Sequence, residues 1–191
     1  MNTALPIVLK ALKCDSSRLS VISECSSDEN HQLIDHQFTI PQIKEILGLI
    51  HQDEYKIKAV DYFPFKDNEF ITLIECFTAD FPKYTFARRY IEKVRASTDI
   101  EENGRLILYI LYRIEYYKVV FIEAFTKTNP SLIIGVKQAV EILKNLDSDV
   151  NRVRVIRELK KCIVWNDDKE LLLETAEYED HREQMRDVLN L

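Results

Sequence analysis

The sequence predicts an all-α protein: an irregular array of about six helical hairpins, close to twelve helices, stacked in the manner of an α-solenoid. Three observations predict it. Apolar residues recur at helical spacing, an acid followed three residues later by a base recurs six times between apolar helix faces, and three glycines and five prolines in 191 residues leave little material for β-turns. The six bases are Arg18, Lys56, Lys83, Lys118, Arg152 and Arg182, and the acids before them are Asp15, Asp53, Asp80, Glu115, Asp149 and Glu179. Ten, nine and six residues before each base the chain is apolar or aromatic, as at Ile46, Leu47 and Ile50 or Ile142, Leu143 and Leu146. Three, four and seven residues after it the pattern repeats, as at Ala59, Val60 and Phe63. Each set falls on one side of a helix, so each unit reads as two amphipathic helices with the acid opening the second.

Taken in order, Thr3 to Lys13 and Ser16 to Cys25 form the first hairpin, and 26–37 read as a polar, flexible insertion. Thr39 and Gln42 have the spacing of a capping box around Pro41, which opens helices over 40–51 and 54–63. Asp67 is a candidate cap for Glu69 to Thr78, and Pro82 sits in the first turn of Phe81 to Arg95. Thr98 and Glu101 suggest a second capping box before Ile100 to Tyr112, which pairs with Tyr116 to Thr126. Asn129-Pro130 reads as a helix start, with a long helix to Leu146 and another from Val150 to Val164. Asn166, Asp167 and Asp168 cap a last pair over 168–177 and 180–190. Glu183 and Arg186 roughen the final apolar face, as in a terminal repeat or a break in the pattern. The whole, 1–191, is expected to be one helical repeat domain.

Composition narrows the function. A net charge of −6 argues against a chain-wide affinity for nucleic acid or anionic membranes. No apolar run reaches the length of a membrane span, and residues 1–12 lack the long apolar core of a signal peptide. Cys14, Cys25, Cys76 and Cys162 have no metal-ligand spacing, so a reducing intracellular setting, cytoplasmic or nuclear, is expected. The histidines lack an HExxH context, and GxSxG, P-loop and dinucleotide fingerprints are missing. No catalytic residue, cofactor or metal is therefore expected.

The recurrent acids have a plain reading as caps, accepting from amides of the helix that they open. The bases are harder to place, because a cation at a helix N-terminus opposes the dipole. One possibility is a row of cations along an edge that meets an acidic partner. Tyr109 and Tyr112 fall in the core columns. Tyr116 and Tyr117 lie in a turn, as do Tyr55 and Phe81 in other units, and aromatics at such tips suit a protein-binding edge. The rival surface is the basic helix 150–163 with Arg152, Arg154, Arg157 and Lys161, a candidate nucleic-acid patch.

Phe38-Thr39-Ile40-Pro41-Gln42-Ile43-Lys44-Glu45-Ile46-Leu47, the following Lys56 to Val60, and Ile74-Glu75-Cys76-Phe77-Thr78 with Lys83 and Ala87 carry a resemblance. They resemble the helical domain of unknown function at the start of the animal proline and serine rich protein. Ile100-Glu101, Lys118 and Ile122 to Phe125 extend it, so that it covers residues 5–126. It departs after Thr126, and the long proline/serine-rich tail has no counterpart. The resemblance implies an intracellular interaction module and carries over no functional residue. The expectation is a non-catalytic scaffold or adaptor that binds another protein or, through a terminal unit, itself.

Overall fold

The computed structural model describes residues 4–25, 38–63, 68–91, 99–165 and 168–191. The expected insertion at 26–37, the cap at Asp67, the box residue Thr98 and the caps Asn166 and Asp167 lie outside them. Among the described residues the chain is all-α, with eleven α-helices, one 3-10 helix and two two-residue strands. It gathers into two compact units, Met1–Phe86 and Ala87–Leu191.

In the first unit, α1 (Ala4–Ala11) and α2 (Asp15–Cys25) form the first hairpin, and α3 (Ile40–Gly48) and α4 (Asp53–Val60) the second. Gln42 Oε1 accepts from the Thr39 N–H at 2.8 Å, the predicted box. The 3-10 helix Asn68–Cys76 stands where an α-helix over 69–78 was expected, ahead of α5 (Asp80–Tyr90). Ile71, Thr72 and Ile74 crowd three β-branched residues into four positions, which disfavours α-helix without preventing burial of Leu73 and Ile74. Phe77 and Phe86 close this hairpin with ring centroids 5.1 Å apart.

In the second unit, α6 (Ile100–Leu111) pairs with α7 (Lys118–Thr128), α8 (Val136–Lys144) with α9 (Asp149–Leu159), and α10 (Glu170–Leu173) with α11 (Glu179–Leu189). Asp99 caps α6, its carboxylate accepting from the Glu101 and Glu102 amides at 2.8 and 3.3 Å. Asn129 closes α7 rather than opening α8: its amide N–H and its side chain both donate to the Phe125 carbonyl. The chain then runs as β1 (Ile134–Gly135), parallel to β2 (Ile163–Val164), before α8 begins. The helices expected from Asn129 and as far as Val164 are shortened by this pairing. Buried Asn103 fastens α6 to the same segment, donating to the Ile133 carbonyl at 2.8 Å.

The apolar columns are fully buried in the second and fifth hairpins, whose turns have four residues, and slip at Tyr112 in the fourth, while Val8, Leu12 and Val21 of the first stay outside the core. Tyr112 is 70% exposed, not core. Six residues separate α6 from α7, against four between α3 and α4 and between α8 and α9, so the register slips. Ile107, Leu111 and Ile114 take the buried side instead, and Glu115 no longer opens a helix. The sixth hairpin is present, with a first helix of one turn and Met185 and Leu189 buried on its second.

Candidate functional site

The acid–base pairs are the most organised chemistry in the chain. Asp15 and Arg18, Asp53 and Lys56, and Asp149 and Arg152 form ion pairs at i and i+3 whose side chains are at most 11% exposed. Each acid is the first residue of its helix, so both groups stand beside the end of the preceding helix, where the last carbonyls lack intrahelical partners. Arg18 donates to the Leu9 carbonyl at 3.2 Å and the Leu12 carbonyl at 2.6 Å. Arg152 donates to the equivalent Leu143 and Leu146 carbonyls at 3.3 and 3.1 Å, and Arg182 to Ala176 at 3.0 Å. The lysines reach forward instead: Lys56 to the Cys76 carbonyl at 2.7 Å and Lys118 to the Asn145 carbonyl at 2.9 Å, both in the next hairpin. The cation thus lies at a helix C-terminus, where the dipole favours it, although it is borne near an N-terminus.

The carboxylates also reach forward, which corrects their reading as caps of their own helices. One oxygen faces the base and the other accepts two amides of the following hairpin. Asp15 Oδ2 accepts from the His51 and Gln52 N–H groups at 2.9 and 2.8 Å, just before α4. Asp53 Oδ2 accepts from Thr78 and Ala79 at 2.9 and 3.0 Å, just before α5. Asp149 Oδ2 accepts from Glu177 and Tyr178 at 2.8 and 2.9 Å, just before α11. The same two positions before the helix are used each time, so one carboxylate satisfies orphan amides of the next unit.

Burial pushes all three carboxyls up. The amides and the paired base outweigh it and hold each below the ordinary Asp value: Gln52 and Arg18 for Asp15, Ala79 and Lys56 for Asp53, Tyr178 and Arg152 for Asp149. His51 Nδ1 lies 3.3 Å from Asp15, and His181 Nδ1 lies 3.7 Å from Asp149. Cys14 is the exposed residue before α2, and hydrogen bonds from Ser16 and Ser17 lower its thiol to about 7. Burial raises Cys25, Cys76 and Cys162.

Arg18, Lys56 and Arg152 are buried and form no row of cations along an edge. Arg152 accordingly drops out of the basic patch. Arg154 is held by Glu123 through a two-pronged contact, Nη2 to Oε2 at 2.8 Å, and Lys161 pairs with Glu158 at 3.2 Å. Arg157 is exposed on the same helix.

The tip aromatics are divided between the two units. Phe81 is 60% exposed at the start of α5, and Tyr55 is half-buried in the first turn of α4, with Lys58 Nζ 5.6 Å from its ring centre. Tyr116 is 77% exposed and Tyr117 half-buried, immediately before α7. Sequence reasoning missed the forward reach of the acids and bases, although the constant spacing of acid, base and helix start carried the signal. No family model, curated protein or solved structure matches the chain.

Proposed function

We propose that the chain is a protein-binding scaffold, a solenoid-like array of helical hairpins that presents aromatic tips to a partner. The observation that carries this reading is the exposure of Phe81 and Tyr116 where the chain enters a second helix, one in each unit. Large aromatic rings that are mostly exposed at ordered helix starts are suited to anchoring an interface, because little side-chain freedom is lost when they are covered. Tyr55 and Tyr117 each stand one residue before the base of their hairpin and are half-buried. The residues behind the family resemblance are packing and turn residues, in keeping with an interaction module. The basic helix gains no support, since Arg152 is buried and Arg154 is engaged by Glu123.

Affinity enrichment with the intact chain, after nuclease treatment, tests the proposal. Wild-type protein is expected to retain a discrete protein that Phe81→Ser or Tyr116→Ser loses at least about tenfold, as for a truncated interface anchor. Recovery that disappears with nuclease, or that survives both substitutions together, overturns it.

A further inference from the structure

The hairpins are sided, and the first hairpin shows one side bare. Ten residues before the base, Ile46, Leu73, Ile142 and Leu172 are all 0% exposed, whereas their counterpart Val8 is 47% exposed and Ile7 beside it 67%. Leu12 and Val21 are half-buried where the equivalent residues of the second and fifth hairpins are buried. Leu9 and Ile22, on the side that meets the next hairpin, are 0% exposed like their counterparts. The bare side is therefore the one that a preceding hairpin covers elsewhere in the chain. Its turn repeats the vacancy: Lys13 and Cys14 occupy the positions of His51 and Gln52, and among the described residues no acceptor meets their amides.

The last hairpin holds the complementary group. Glu179 opens α11 as Asp149 opens α9, and one of its oxygens bonds Arg182 at 3.3 Å, as in the inner pairs. Its other oxygen meets no amide of a following hairpin among the described residues. Charge agrees: residues 170–191 carry seven acids against Arg182 and Arg186, a net of −5, while residues 1–25 carry Lys10, Lys13 and Arg18 against Asp15 and Glu24, a net of +1. We propose that a second copy of this chain docks head to tail, the Glu179 carboxylate of one copy accepting from the Lys13 and Cys14 amides of the next while its last hairpin covers Val8. Arg186 replaces the β-branched apolar residue found at Val60 and Ile156, so its aliphatic stem rather than a branched apolar side chain covers Val8. The contact is therefore weak and concentration-dependent, and because unlike surfaces meet it is open-ended. It uses none of the tip aromatics, so it and the proposed function stand or fall separately.

Sedimentation of the full chain over a concentration series tests this. The average mass is expected to rise from 22.5 kDa past twice that value without a plateau. Val8→Asp and Glu179→Lys, both at exposed positions, each return it to the monomer. An equimolar mixture of the two variants, which leaves one good head and one good tail, is expected to stop at two copies. A wild type that stays monomeric, a plateau at two copies, or association that persists in either variant overturns the proposal.

Discussion

Asp149 illustrates what a single residue does in this fold. Its carboxylate is 3% exposed, faces Arg152 on one side and takes the Glu177 and Tyr178 amides on the other. Removing either member of a buried pair leaves the other charged, desolvated and uncompensated, which typically costs ~3–5 kcal/mol. Asp149→Ala and Arg152→Met should therefore each shift the urea midpoint down strongly, and the double variant should cost clearly less than the two together. Equal and additive losses would contradict the pairing. The pH dependence follows from the same group. A carboxyl lowered in the folded state contributes stability that is present above its unfolded value of ~3.9 and is lost as the pH falls through the lower folded value. Asp15, Asp53 and Asp149 all shift in this direction. Stability measured from pH 6 to 2 should fall below about pH 4, and less steeply in Asp149→Asn, which removes one of the three lowered carboxyls.

At the scale of the element, α6 and α8 touch through a glycine. A Cβ on Gly104 would collide with Gln138 Cγ and stand 2.7 Å from its Cβ, and the latter atom cannot swing away. Gly104→Ala should lower the melting temperature despite the better helix propensity of alanine, with a cost of ~1–3 kcal/mol for overpacking. A neutral or stabilising result would show that the two helices separate freely. The helices themselves were legible because Ile46, Leu47 and Ile50 announce a face by spacing alone. Tyr112 was misplaced because two additional turn residues shift the register without altering local composition. Asn129-Pro130 was misread because Asn serves at either end of a helix, and only the later burial of Leu132 and Ile134 decides which. The pairing of β1 with β2 depends on residues 29 positions apart, as Ile134 and Ile163 show, and leaves no periodic trace in either segment.

At the scale of the molecule, carboxylates fasten hairpins to their successors within each compact unit. The first compact unit contains two such steps, from Asp15 to α4 and from Asp53 to α5, and the second contains the step from Asp149 to α11. The acid–base spacing was visible in the sequence, but its partners were not, because a carboxylate that serves amides 25 to 37 residues ahead looks the same as one that caps its own helix. The site thus reads from sequence as a set of local caps and from structure as links between one hairpin and the next. Amide hydrogen exchange in Asp149→Ala tests that difference most directly. If the carboxylate joins hairpins, exchange at Glu177 and Tyr178 should accelerate at least about tenfold while His51 and Gln52 keep their wild-type rates. Acceleration confined to the first turn of α9, with Glu177 and Tyr178 unchanged, would contradict the joint and return Asp149 to the role of a local cap.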